Sequence, residues 1–497
     1  MIRDIRQFTQ QKFDLLVVGG GINGAAIAYL AADNGLSVAL IDKGDFASGT
    51  SSKSSKLVHG GIRYLENLEF DLVSEALKER YIQFKNAPHL VKPLAFIIPI
   101  YEGGPRPVWM VKAGVLLYDA LAGSFKLGPH RFFSAEELLK KEPSLNPAGL
   151  KGGVLYYDAQ MDDARLCLEN VLMAAQKEAR VANYVEALSL VKENRKTVGI
   201  VAKDIPTGQL FEIRAKRVVC ALGPWTERIF KEDRVYSKHN VRTTKGIHLV
   251  YKGKIAEHAV VIQTRTDRRI FFVIPWMGNS LIGTTDTDFS GSPDHVACDS
   301  EDVAYLINET RRVFPSLNIE EKNIITSFAG LRPLVHADGQ PSKVSRKHEI
   351  ETVASGVTYV MGGKYTTYRR IAEDCLKKFM YLKNRSKFEC PLYGSGIPTE
   401  PPAEIAAQFA VKEQTVEYLF GKYGMKYIDV LNLTRRDQAL KQELCDCSAA
   451  IAAQVVYAIE TEMAQNADDV LTRRLGLAYI PCSSGRCRSY IEKSFKD

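Results

Sequence analysis

The sequence predicts an α/β fold. A discontinuous nucleotide-binding domain surrounds a parallel sheet, a second domain rests on an antiparallel sheet, and the C-terminal part is all-α. Three observations carry this prediction. FDLLVV, AAIAYLAADNG and LSVALID follow one another as apolar strand, helix and second apolar strand. Strand-length apolar runs, among them AFIIPIY, AVVIQT and RIFFVIPW, fall in two later blocks. Beyond the Pro/Gly-rich stretch KFECPLYGSGIPTEPPAEI the periodicity turns helical, in AEIAAQFAVKEQTVEYLFGKYG, SAAIAAQVVYAIETEMAQ and DDVLTRRLGLAYI. At 497 residues the chain also exceeds the ~250–300 at which a single core stops growing.

The opening unit is Rossmann-like. Gly19-x-Gly21-x-x-Gly24 lies between strand and helix, where glycines allow a tight turn and bring backbone N–H groups up to a pyrophosphate at the helix start. Asp42 ends the second strand and can accept from an adenosine ribose. The motif leaves NAD and FAD both open, but no second fingerprint appears, which disfavours a two-nucleotide reductase. Next comes TSSKSSKLVHGGIRYLE. Six of the eight residues Ser48 to Ser55 carry hydroxyls. They can continue along the pyrophosphate and ribityl chain of FAD; a solvated serine-rich loop is the other reading. The candidate cofactor contacts here are Gly19, Gly21, Ile22, Asn23, Gly24, Asp42, Lys43, Thr50, Ser51, Ser52, Ser55 and Leu57.

Bulk properties exclude several classes. With 45% hydrophobic and 25% charged residues the chain reads as globular, not disordered. A net charge of +8 is thinly spread, and no basic stripe with interleaved aromatics suggests nucleic-acid binding. Nine scattered cysteines predict reduced thiols and a cytoplasmic setting. Neither Cys445-Asp446-Cys447 nor Cys482 with Cys487 has C-x-x-C spacing, so no metal site is predicted. The start lacks a signal-type apolar region. No run of ~18 uncharged apolar residues predicts a spanning helix. Residues 107–128, PVWMVKAGVLLYDALAGSFKLG, read either as a buried helix or as one that lies against lipid.

Further motifs appear in order: DDARL at Asp162, ALGPW at Ala221, RIFFVIPW at Arg269, GTTDTD at Gly283, GLRPL at Gly330 and GGKYTTYR at Gly362. With GGGINGAAIA and the hydroxyl-rich stretch, they resemble the FAD-dependent glycerol-3-phosphate dehydrogenase family, within the glycine/D-amino-acid-oxidase-like flavoproteins. The resemblance implies FAD, and oxidation of sn-glycerol 3-phosphate at C2 to dihydroxyacetone phosphate. It implies a quinone acceptor, a peripheral site on the inner face of the cytoplasmic membrane, and a homodimer. An oxygen-using oxidase, a related amine oxidase and a non-catalytic flavin binder are the alternatives. The expected domains are 1–90, 151–240 and 325–390 for FAD, 91–150 and 241–324 for substrate, and 391–497 for the helical part.

The resemblance also implies roles. Arg332 and Arg346 face the substrate, with Arg63, Tyr64 and Lys364 beside them. His248 is the first candidate for general base and His59 the second, while Arg332 polarising the alkoxide, with water as proton acceptor, is a third route. His59, Gly60, Gly61, Gly363, Lys364 and Thr366 belong to the flavin side, Thr366 or Thr367 capping the following helix, and Gly223 packs the backbone against the adenine or ribose side. Thr284, Thr285 and Asp286 position loops, and Trp225 reads as core.

Overall fold

The computed structural model describes residues 1–227, 231–234, 239–265, 267–335, 347–382 and 390–496. Its strands form two sheets. The first is centred on Phe13–Val18, which pairs in parallel with Val38–Ile41 and with the second half of Leu210–Cys220. Arg180–Ala182 and Thr358–Gly362 extend it in parallel on the two sides. All of FDLLVV except Asp14 is buried. Helices cover a parallel sheet on both faces, which explains an apolar run without alternation. The Ala-rich helix Ile22–Asp33 packs against Asp163–Gln176. It stops in a Schellman motif, with Leu36 N–H on Ala31 O at 3.2 Å, Gly35 N–H on Ala32 O at 2.9 Å, and Gly35 at φ +91°.

The second sheet contains ten strands and is mostly antiparallel. Its exception is Ala259–Gln263, which runs parallel to Val91–Tyr101. The long strands Leu150–Met161 and Ile324–Val335 belong to this sheet, although the sequence assigns residues from 151 and 325 onward to the nucleotide-binding part. Strand pairing decides: Val241–Tyr251 ladders with Ile324–Val335 along its whole length, placing His248 opposite Phe328 and Thr244 opposite Arg332.

The C-terminal part is a set of short helices. The first predicted helix divides at Ala410, which adopts a left-handed conformation, into Pro402–Phe409 and Glu413–Tyr423. DDVLTRR forms a π-type turn, Asp469–Arg474. That turn docks the region on the first sheet. Asp45 is buried between Arg473 (Nε at 2.6 Å) and Arg474 (Nη1 at 2.8 Å), and Glu462 receives Arg165 at 2.6 Å. The Pro/Gly-rich stretch is packed too: Gly394 N–H donates to Glu169 at 3.2 Å.

The cysteines are not all scattered. Cys445, Cys447, Cys482 and Cys487 converge, all four Sγ atoms lying within 4.8 Å of one another. Short-range spacing hid this, because the pairs come from a loop and a helix start 35 residues apart in the chain.

Candidate active site

The carboxyl ends of the parallel strands meet at a cavity of about 700 Å³. Gly19, at φ +107°, turns the chain so tightly that a Cβ there would lie 2.5 Å from Ala221 O. A Cβ on Gly24 would lie 1.8 Å from Gly19 O, so this glycine brings the helix onto the turn and does not line the cavity. Gly21, Ile22 and Asn23 do line it. Asp42 also lines it, but its carboxylate already accepts from Gly20 N–H (2.6 Å) and Gly44 N–H (2.8 Å). Burial pushes its pKa up to about 6. Each oxygen keeps a lone pair, so Asp42 braces the loop and can still accept from a ribose.

The hydroxyl-rich stretch divides its work. Ser51 Oγ accepts from Ile22 N–H at 2.9 Å, docking the loop on the helix start. Thr50 Oγ1 donates to Leu331 O at 2.7 Å, tying it to the second sheet. Lys56 is buried, its ammonium on Asp163 and on Ser52 O, both at 2.7 Å. Ser52 therefore lies beneath the cavity wall and contacts no ligand space, contrary to expectation. Ser55 Oγ pairs with His248 Nε2 at 2.8 Å. Leu57 and Lys43 line the cavity.

At the far end the chain turns through Gly60 and Gly61. Gly60 also misses the cavity wall: a Cβ there would meet Tyr118 Oη at 2.4 Å. Its N–H donates to Asp158, which also receives Arg80 (2.6 Å) and Tyr118 (2.8 Å) in the interior. This network props up His59, Gly61, Arg63 and Tyr64, all cavity residues. Lys364 Nζ stands 3.7 Å from the centre of the Tyr64 ring and the Arg63 guanidinium 5.7 Å from it, so one aromatic ring serves two cations. Gly363, at φ +86°, and Gly223, at φ +52°, line the cavity from the sheet side. Thr366 Oγ1 bridges His59 N and O at 3.1 and 3.2 Å. The helix Tyr368–Lys377 consequently starts at Thr367 with no side-chain cap, and the predicted capping bond is absent.

The second sheet contributes the remaining wall. Arg332 reaches over its neighbouring strand to Thr284 Oγ1 (2.7 Å), Thr285 O (3.2 Å) and Asp286 Oδ1 (3.1 Å). Thr284, Thr285 and Asp286 thus act as its mount. His248 is buried and stacked on Phe328, with ring centroids 5.0 Å apart. Burial, reinforced by Arg332 and Lys56, holds its pKa well below the ordinary histidine value. Burial likewise lowers His59 to about 4. Both imidazoles are neutral at pH 7, as a proton acceptor must be. Arg346 lies outside the described residues.

Some cavity residues escaped the sequence reading. Trp225 is not core: it lines the cavity, its Nε1–H donating to Asp294 at 2.9 Å, and Lys43 Nζ lies 4.7 Å above its ring. Lys43 also meets Asp294 at 2.5 Å, latching a segment of the second sheet's side onto the nucleotide loop. Lys53 and Arg269 add positive charge to the same cavity. Trp225, Lys53 and Arg269 sit in the quoted motifs ALGPW, TSSKSSKLVHGGIRYLE and RIFFVIPW, but nothing in those motifs says which side chains face the cavity.

Two buried polar atoms on cavity residues, Asn23 Oδ1 and His248 Nδ1, have no hydrogen-bond partner among the described residues. Burying such atoms is costly without a partner, so the space suits a ligand with hydrogen-bonding groups. Together with the glycine turn, they fit a dinucleotide that extends from Asp42 to Lys364.

Comparison with known proteins agrees. Residues 14–369 match the model of the FAD dependent oxidoreductase family, and residues 388–487 that of the C-terminal domain of alpha-glycerophosphate oxidase. The chain is 36% identical to the aerobic glycerol-3-phosphate dehydrogenase of Bacillus subtilis, over 96% of this chain and 89% of that protein. Against the glycerol-3-phosphate dehydrogenase of Synechocystis the identity is 34%, over 96% and 91%. The crystal structure of glycerol-3-phosphate dehydrogenase from Bacillus halodurans complexed with FAD superposes with a TM-score of 0.81 at 30% identity, covering 99% of this chain and 92% of that one.

Proposed function

Because this chain belongs to the FAD dependent oxidoreductase family, and within it to the glycerol-3-phosphate dehydrogenases, we propose that it oxidises sn-glycerol 3-phosphate at C2 to dihydroxyacetone phosphate. One observation carries the reading: the glycine turn, the two histidines and the cations Arg63, Arg332 and Lys364 all face a single cavity.

FAD, when bound, supplies the hydride acceptor. The chain's own residues do the rest. Gly21 and Asn23, at the start of helix Ile22–Asp33, present N–H groups to the pyrophosphate, while Gly19 and Ile22 spend theirs on Ile41 O and Ser51 Oγ. Arg63, Lys364 and Arg332 supply the charge that a phosphate dianion requires. His248, neutral and hydrogen-bonded to Ser55, takes the C2 hydroxyl proton, and the neighbouring Arg332 stabilises the developing alkoxide. His59, whose backbone is fastened to Thr366, orients the cofactor.

The acceptor is a quinone, and the protein works as a dimer on the inner face of the cytoplasmic membrane. The helix Val108–Ala122 supports the membrane site. Trp109, Met110, Leu116 and Leu117 are 68%, 41%, 50% and 40% exposed. Its opposite face is anchored in the protein, Asp119 pairing with His130 at 2.6 Å. The span Val108–Phe125 is predominantly apolar, yet its 18 residues rise only ~27 Å, short of a ~30 Å core. It can therefore lie on the lipid. The turn bearing Arg63 and Tyr64, two cavity residues, packs against this helix, which supports a link between the lipid-facing helix and the site.

Anaerobic addition of sn-glycerol 3-phosphate should bleach the oxidised flavin absorbance, and no bleaching would refute the substrate. Arg332→Ala should stay yellow and lose turnover; colourless protein would assign that arginine to the fold. Reoxidation by a soluble quinone faster than by oxygen supports the acceptor, and the reverse order refutes it.

A further inference from the structure

We propose that Cys445, Cys447, Cys482 and Cys487 form a four-thiolate site for a thiophilic metal, iron or zinc. The sulfurs are already gathered. Cys482 Sγ stands 3.3 Å from Cys445 Sγ and 3.4 Å from Cys487 Sγ, and Cys447 lies 4.0 Å from Cys487. A disulfide would need ~2.05 Å. Four sulfurs around one tetrahedral ion, at ~2.3 Å from it, stand ~3.8 Å apart, which is the scale observed.

The surroundings are built for thiolates. Leu444 N–H to Ala450 O and Ala452 N–H to Gln442 O, both 2.8 Å, close a tight loop that presents Cys445 and Cys447. Cys482 and Cys487 flank the turn into helix Arg486–Lys493, whose start favours negative charge. Cys447 N–H donates to Cys445 Sγ at 3.4 Å, and Ser484 Oγ lies at the same distance. Four soft ligands with no carboxylate or imidazole among them select iron or zinc over hard cations.

The place of the site in the fold gives it a role. Three residues before Cys482, Tyr479 packs on Trp276 (5.1 Å) and on Phe328 (6.0 Å), and Phe328 is the ring that backs His248. Metal binding would pin this segment and thereby the rear wall of the cavity. Iron would in addition place a one-electron centre behind that wall.

Elemental analysis of the full-length flavoprotein, purified without chelator, tests the site, with acid-labile sulfide measured alongside. The expected result is zinc or iron stoichiometric with the chain: one zinc, or iron with sulfide if a cluster is bound. Cys445→Ser/Cys482→Ser should lose that metal and keep flavin, whereas Cys298→Ser should keep both. Should the double variant not fold, a mercurial titration of the wild-type protein should release metal in step with these four thiols. Metal below roughly one per ten chains, an unchanged metal content in the double variant, release unlinked to the thiols, or a native Cys445–Cys482 disulfide each overturn the proposal.

Discussion

Gly246→Ala tests how Arg332 is placed. Gly246 sits opposite Gly330 in the strand pair that joins His248 to Arg332. An added Cβ would lie 2.4 Å from Arg332 Nη2 and 2.6 Å from Thr284 Oγ1. Ordinary contact begins near ~3.5 Å, so the guanidinium must retreat by about 1 Å. Its 2.7 Å bond to Thr284 and 3.2 Å bond to Thr285 O cannot both survive. Losing one hydrogen bond to a charged group costs about 1.5–3 kcal/mol, and at ~1.4 kcal/mol per decade kcat/KM should fall roughly 10- to 150-fold. The assay is anaerobic turnover of glycerol 3-phosphate, normalised to flavin content. Gly114→Ala is the control, since a Cβ there meets nothing within 4 Å. If Gly246→Ala stayed within about threefold of wild type at full flavin loading, the placement of Arg332 would not govern catalysis.

Three further outcomes follow from the same geometry. His59 (about 4) and His248 (well below the ordinary value) protonate more readily unfolded than folded, so the unfolded state binds more protons once pH drops below ~6.5. Stability in urea should therefore decline from pH 7 to 5, and a flat profile would show that the fold does not resist their protonation. Asp163→Asn leaves the Lys56 ammonium buried without its counter-charge, at about 3–5 kcal/mol; thermal melting with flavin release should fall, and an unchanged midpoint contradicts the pairing. Trp109→Glu/Leu117→Glu removes two apolar anchors worth at least ~1.5 kcal/mol each, so sedimentation with anionic vesicles should weaken roughly 100-fold, and undiminished binding would move the membrane face elsewhere.

Legibility in the sequence followed the range of the interaction. The glycine turn and its two strands announce themselves because turn, helix start and apolar run are all local. Arg332 and His248 carry no local mark, being one of 66 Lys and Arg and a lone imidazole on an apolar strand. The family resemblance named them, and the reason they work is a cross-strand register between segments some eighty residues apart. Gly24, Ser52 and Gly60 were read as cofactor contacts because small residues suit close approach; here the close approach is to Gly19, Lys56 and Tyr118. Trp225 and the cysteine quartet were misread for the opposite reason, since an aromatic near a strand end resembles core and a C-x-C pair resembles nothing until its partners arrive.

The burial of Asp45 has a consequence in time. This carboxylate lies three residues past Asp42, in the loop that rims the nucleotide cavity, and Arg474 is 429 residues further along the chain. A ribosome adding ~5–20 residues per second needs about 20–90 s to reach it. An unpaired carboxylate resists desolvation, so on the nascent chain this rim stays hydrated and open. Completion of the chain brings Arg473 and Arg474 to this carboxylate, so the loop is fixed last although it is made first.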